Sequence, residues 1–339
     1  MKRNHVNIPV FIPHLGCPNM CVFCNQRAIS GVSHFYQETA KEQIETVLST
    51  IADNVECEIA FFGGSFTGID RNLMIDLLDL AQSYVDLGKV SGIRMSTRPD
   101  YINSEIIDIL KKYTVSAVEL GVQSFSDSVL TKCKRGHCAH ITREAFSLLN
   151  EAGIDSVGQM MIGLPGATLE DEISCATEIC SCGAKGARIY PTIVFKETEL
   201  CEMTQRGEYV PLTLDEAVNR SATVLEVFIK NDVDCLRIGL CESDNLHSDK
   251  SYFAGPNHPS LGELVYSEVF YRIISRELDE RLEENRGNLT LHVPKGRIST
   301  VVGQNRRNII RLKDKYQINN VKFIENPTDM RYNIMLEFN

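Results

Sequence analysis

No stretch of the 339-residue chain stays apolar for long enough to cross a bilayer. The opening residues, MKRNHVNIPVFIPHLG, begin with a short basic start, but the apolar run behind it is brief and interrupted by Pro9 and Pro13. It reads as neither a secretory signal nor a membrane anchor. No membrane partner is expected, and the expected location is the cytoplasm, where thiols stay reduced. No strand-like run ends in GxGxxG, which argues against a Rossmann dinucleotide site. No short internal repeat is present. Nor is there a second cysteine pair at metal-ligand spacing, because Cys180 and Cys182 form only CxC on a predicted helix. The net charge of −10 argues against general affinity for nucleic acid.

A hydrophobic content of 43% over this length suffices for a large core, with or without a small second domain. Up to residue 241, short β-branched runs alternate with longer helix-period segments. Strands are expected at 7–16, 58–66, 92–99, 117–125, 155–165, 187–195 and 234–241. Helices are expected near 37–53, 70–86, 103–112, 140–152, 169–181 and 214–231. Apolar residues in IIDILKKY (106–113) recur at spacings of three and four, as one buried helix face requires. Repeated strand–helix units imply parallel strands with right-handed crossovers. The fold class is therefore α/β, a partial parallel (β/α) barrel of the TIM type. Chemistry in such barrels sits at the C-terminal strand ends. The unusual segments gather there: three cysteines follow the first predicted strand, and a Gly-Gly pair, STRPD, GVQS and IGLPG end the second to the fifth.

The cysteines Cys17, Cys21 and Cys24 lie in HLGCPNMCVFCNQ, spaced CxxxCxxC. In a reducing compartment the chain's twelve cysteines are metal ligands, reactive groups or core residues rather than disulfides. Thiolates suit zinc or iron–sulfur clusters. Three readings stand side by side. The first is a tetrahedral zinc site completed by His14 or His34. The second is a [4Fe–4S] cube with three irons held and one left open to an external ligand. The third is a set of incidental thiols.

The spacing, with Phe23 just before the last cysteine and a predicted barrel strand just before the loop, resembles the radical S-adenosylmethionine (SAM) superfamily. FFGGSF (61–66) resembles its Gly-Gly-acid motif, with Ser65 in place of the acid. MSTRPDYI (95–102), ELGVQSFSDSVL (119–130), KRGH (134–137), GLPG (163–166) and RIYPTIVFKETEL (188–200) resemble the radical-SAM part of the Elongator catalytic subunit. Oxygen-independent coproporphyrinogen oxidases are also similar. This resemblance implies an enzyme with a [4Fe–4S] cluster on Cys17, Cys21 and Cys24. It would cleave SAM reductively to methionine and a 5′-deoxyadenosyl radical, with reduced flavodoxin or ferredoxin as electron donor. Phe23 would flank the cofactors, and Gly63, Gly64 and Ser65 would admit the methionine amino group of SAM. Gln123 would bond the SAM ribose or carboxylate, and Arg135 would pair with the carboxylate. Ser96 stands where coproporphyrinogen oxidases have a ribose-binding Glu, and Gln159 where they have an Asp; both still hydrogen-bond. The implied substrate is RNA, specifically transfer RNA, although nothing after residue 240 resembles the Elongator acetyltransferase domain. A small-molecule radical enzyme and a non-catalytic iron–sulfur or zinc RNA-binding protein are the alternatives. Cys133 and Cys138 are expected to be ordinary helix or loop residues, and His137 and His258 receive no role. Tyr190 is either a substrate contact or a plain barrel residue.

After residue 241 the texture changes. The expected division is a core at 1–242, a connecting and covering segment with a helix at 243–286, and a small domain at 287–339. The small domain reads β-α-α-β-β and resembles a KH-type RNA-binding module. Its backbone-clamping loop would be Gly303-Gln304-Asn305-Arg306, without the usual second glycine. Residues 295–315 carry seven Lys or Arg against one Asp, in a chain that is net negative. Arg306, Arg307 and Arg311 are the expected phosphate contacts.

Overall fold

The computed structural model describes residues 5–12, 15, 17, 21–25, 35, 37–52, 55–240, 251–281, 287–326 and 331–338. His14 and His34 lie outside them. Seven strands form one parallel sheet in the order β1-β2-β3-β4-β5-β6-β8. They are β1 (His5–Phe11), β2 (Glu56–Phe62), β3 (Gly92–Thr97), β4 (Val115–Gln123), β5 (Asp155–Ile162), β6 (Gly186–Pro191) and β8 (Asp234–Ile238). The sheet curls into a half-barrel with a helix between most successive strands.

Alternation along the strands explains the curl. Ile59 and Phe61, Ile93 and Met95, Val118, Leu120 and Val122, Met160 and Ile162, and Ile189 are all fully buried. Side chains on a strand alternate between faces. On β5 this parity faces the helix Leu169–Ser181: a Cβ built on Gly158 would meet the Ile179 side chain at 2.7 Å. Each of five strands carries a polar residue at the opposite parity: Glu58 on β2, Arg94 on β3, Glu119 on β4, Gln159 on β5 and Arg188 on β6. A closed barrel fills its interior with branched apolar layers; these five positions are polar instead.

Local chemistry sets the helix starts. The Asp70 carboxylate accepts from the backbone N–H groups of Asn72 and Leu73, opening the helix Arg71–Asp86. Asn103 caps Ser104–Leu110 through the Ile106 N–H. Thr168 and Asp171 cap each other reciprocally at the start of Leu169–Ser181. Two short helices, Asp127–Lys132 and Glu199–Gln205, were not expected. The predicted strand at 187–195 is two strands, because after Pro191 the chain leaves the main sheet and β7 (Val194–Phe195) pairs antiparallel with β9 (Tyr252–Ala254).

The chain divides into two compact units, Met1–Thr213 with Val227–Asn257, and Leu214–Glu226 with His258–Asn339. The second has a three-stranded sheet, β11 (Asn320–Asn326), β10 (Asn288–Pro294) and β12 (Met335–Phe338), with β10 parallel to β11 and antiparallel to β12. The helices Ile298–Val302 and Arg307–Tyr316 lie between β10 and β11, in the expected β-α-α-β-β order. The helix Leu261–Glu280, read from sequence as part of a connection, supplies Phe270, Ile274 and Leu278 to the core beneath this sheet. These residues recur at spacings of four, so they form one apolar stripe.

Candidate active site

The C-terminal ends of the strands surround a cavity of about 610 Å³. It gathers residues from strands β1 to β6 and from the loops after β1, β2, β3, β4 and β6. Cys17, Cys21, Phe23 and Cys24 line it, as do Gly63, Gly64, Ser65, Ser96, Gln123, Arg135 and Gln159. All eleven residues assigned from sequence to the cluster and cofactor therefore open onto one space. The three cysteines differ in exposure: Cys21 is buried, Cys24 half-buried and Cys17 exposed. Among the described residues, no three His, Cys, Asp or Glu side chains converge on a point that would hold a single metal ion. A cube binds each cysteine through a different iron, so its ligands need not converge.

The surrounding side chains are held by identifiable contacts. Ser65 Oγ lies 3.5 Å from Cys17 Sγ, and the Ser65 N–H donates to the Leu15 carbonyl at 3.1 Å. A Cβ on Gly64 would stand 2.5 Å from the carbonyl oxygens of both Ile12 and Leu15. The second glycine is thus required by the chain's own cysteine-bearing loop, a demand the motif alone does not reveal. Arg135 is buried; its Nη2 donates to the Gly121 carbonyl at 2.7 Å and its Nη1 points to Cys21 Sγ at 3.5 Å. Gln123 closes β4 with φ of 64°, beside a register shift against β5. Left-handed backbone at a residue with a side chain marks strain, which concentrates at functional sites. Gln123 Oε1 and Arg135 Nε are buried without a partner among the described residues. Buried polar atoms of this kind call for a bound group or water.

Glu119, Gln159 and Arg188, which line the cavity, belong to an ion-pair ladder that sequence reasoning missed. His5 Nε2 lies 2.7 Å from Glu58 Oε2. Arg94 bridges Glu58 at 3.0 Å and Glu119 at 3.4 Å. Arg188 grips the fully buried Glu119 through two bonds of 2.6 and 2.8 Å. Gln159 donates to the same carboxylate at 2.8 Å. Burial alone would raise the Glu58 carboxyl, but Ser116, Arg94 and His5 together hold it below the usual carboxylate range. The sequence signal was there: a charged or amide residue inside an otherwise apolar strand, such as Glu119 in AVELGVQ.

The structure also places the residues set aside from sequence. Cys133 is buried, and burial together with nearby Cys21 pushes its thiol up to about 12, so it is protonated and unreactive. Cys138 is exposed at the start of the helix Ala139–Glu151. His258 Nδ1 accepts from the Ser260 N–H at 3.1 Å. Tyr190 lines the cavity.

Comparison with known proteins fits this site. The Radical SAM superfamily model matches residues 11–176, and the Radical_SAM C-terminal domain model matches 184–270. An uncharacterised protein of Methanocaldococcus jannaschii is 31% identical over 227 residues, covering 63% of this chain and 69% of its own length. The chain belongs to the radical SAM superfamily. Members of this superfamily are enzymes. Within it the relatives are Elongator-like. Elongator complex protein 3 of Saccharomyces cerevisiae is 33% identical over 255 residues, covering 63% of this chain. The tRNA uridine(34) acetyltransferase of Methanocaldococcus infernus is 37% identical over 127 residues, covering 37% of this chain. The chain spans 46% of the length of the yeast relative and 24% of the length of the archaeal one. Among solved structures, archaeal Elp3 of Methanocaldococcus infernus superposes with a TM-score of 0.62 at 22% identity, covering 84% of this chain and 66% of that one. Streptococcus suis SuiB gives 0.51 at 12% identity, covering 70% of this chain and 50% of its own. Both share the fold. No helix among the described residues is long and apolar enough to cross a membrane.

The basic segment of this radical SAM protein is less uniformly available than its sequence suggests. Arg311 is paired with Glu268 and lies over the Tyr271 ring, with 3.5 Å from guanidinium to ring centre. Arg307 is exposed and meets Asp215 at 2.9 Å. Arg306 is exposed, left-handed at φ of 61°, and has no acidic partner among the described residues. Gly303 has φ of 78°, and a Cβ there would meet Ser267 Oγ at 2.8 Å. Its glycine is a packing requirement of the second unit.

Proposed function

We propose that this chain holds a [4Fe–4S] cluster on Cys17, Cys21 and Cys24 and uses it to cleave SAM, acting in the modification of transfer RNA. One observation carries the reading: three cysteines at CxxxCxxC share one cavity with two glycines and with a strained glutamine and a buried arginine that each have polar capacity left over. Held by these three cysteines, a cluster reduced by a flavodoxin or ferredoxin would supply the electron for SAM cleavage. The chain supplies position. Gly63 gives its backbone to the SAM amino group, and Gln123 and Arg135 offer hydrogen bonds to ribose and carboxylate. Ser96 and Gln159 add polar contacts, although the amide nitrogen of Gln159 is shared with Glu119. Phe23 lines the same cavity.

The relatives that act on tRNA support the substrate class. So does the exposed basic turn at Arg306 and Arg307, which suits phosphate contact in a KH-like domain spanning 287–339. The test is anaerobic reconstitution with iron and sulfide, followed by assay of 5′-deoxyadenosine with and without tRNA. Formation that rises with tRNA is expected, and Cys17→Ala, Cys21→Ala or Cys24→Ala each abolishes it. Turnover indifferent to RNA would instead favour a small-molecule substrate bound against the charged pair Glu119 and Arg188.

A further inference from the structure

Arg98 is the largest fully buried side chain in the described protein, with 1% of its surface exposed. It follows β3 and lines the same cavity as the three cysteines. Its Nε and Nη2 each donate to Asp100 at 2.9 Å, and Nη2 also donates to the Arg135 carbonyl at 2.6 Å. Nη1 has no partner among the described residues. A guanidinium has five N–H donors, and burying one with two of them unused is costly. An anionic acceptor, which the described residues do not supply, would meet that cost.

The neighbouring groups define that charge. Arg135 adds a second guanidinium directed at Cys21 Sγ. Asp100 is the acidic side chain bound to Arg98, and its side chain is 26% exposed, so solvent screens part of its charge. His137 stands near both arginines, and burial followed by Arg135 pushes it down to about 4, which leaves it neutral at ordinary pH. Burial works against the charge of Arg98, but Asp100, with Cys21 and Cys17 beyond it, keeps its pKa raised. The wall behind the cysteines thus carries more positive than negative fixed charge. Three thiolates outweigh the positive charge of a [4Fe–4S] core, so the bound cluster is anionic and becomes more so on reduction.

We propose that Arg98 is the electrostatic counter-charge of the cluster, a positioning residue that favours its reduced state. This rests on the cluster reading above. Net charge, hydrogen bonding and exposure set iron–sulfur potentials, and a fixed charge acts most strongly where water is excluded.

The test is a potentiometric titration of the reconstituted full chain, without SAM, read by the spin-resonance signal of the reduced cluster. In Arg98→Gln the reduced-to-oxidised ratio at a fixed potential is expected to fall about tenfold, equivalent to about 59 mV for one electron. Arg98→Lys keeps the charge and is expected to recover most of it. Asp100→Asn removes the opposing charge and is expected to shift the ratio the other way. A neutral effect of both Arg98→Gln and Asp100→Asn, or shifts of one sign, overturns the proposal while leaving the cluster itself intact. If Arg98→Gln does not fold, Asp100→Asn decides: a higher ratio supports the counter-charge, and an unchanged or lower one overturns it. A wild-type chain that takes up no cluster overturns the functional reading and this inference together.

Discussion

At Gln123 a strained backbone and an orphaned side chain coincide. Its φ of 64° costs nothing to glycine, whereas its amide oxygen is buried with no partner among the described residues. Gln123→Gly is therefore expected to unfold at a temperature no lower than the wild type, while binding SAM about five- to tenfold more weakly for want of one hydrogen bond. Calorimetry of both properties checks it, and unchanged SAM affinity would remove Gln123 from the site. Gly64 behaves in the opposite sense. Gly64→Ala forces a methyl against two carbonyls of the cysteine loop, so cluster uptake, read as iron per chain, is expected to fall before SAM affinity can be tested. At this scale the cysteines and the Gly-Gly pair were legible because their spacing is local. Arg98, Glu119 and Arg188 were not, because each owes its position to partners or neighbours on other strands and loops.

Across elements, the charged row on β2 to β6 is the largest departure from an ordinary barrel. Removing one member leaves its neighbours charged and buried, which typically costs about 3–5 kcal/mol. Glu119→Ala is expected to lower stability by that order in chemical denaturation, more than the truncation of an exposed glutamate such as Glu202. Glu58 adds a pH dependence. Its folded carboxyl is held below the usual range, so its contribution is complete above that range and disappears as pH falls through the depressed value. Thermal midpoints measured from pH 7 downward should drop less steeply in Glu58→Gln than in the wild type, and identical acid limbs would contradict the assignment. The strands and main helices were readable from period and capping residues, since both act within a few positions. The split of 187–195 into β6 and β7 was not, because a two-residue strand depends on a distant partner, β9.

For the molecule as a whole, the second unit makes the proposal about tRNA quantitative. Of the three arginines singled out in the basic segment, Arg311 is paired and lies over a ring, and Arg306 and Arg307 are the exposed pair. Arg306→Ala with Arg307→Ala is expected to flatten the salt dependence of tRNA binding, its logarithmic slope falling by about one for each phosphate left unneutralised. Arg311→Ala is expected to act chiefly on the stability of that unit. Filter binding across a salt series, alongside thermal melts, separates the two. The order β-α-α-β-β was visible in the sequence, but the membership of the helix Leu261–Glu280 in this core was not, since its apolar stripe fits a connection as well as a core. The ladder of the half-barrel also constrains how sequences of this kind drift. Because Glu58, Arg94, Glu119 and Arg188 alternate in sign along the ladder, no single reversal is tolerated alone. Descendants should vary these positions in matched exchanges, so that four sites scattered over 131 residues of chain inherit as one character.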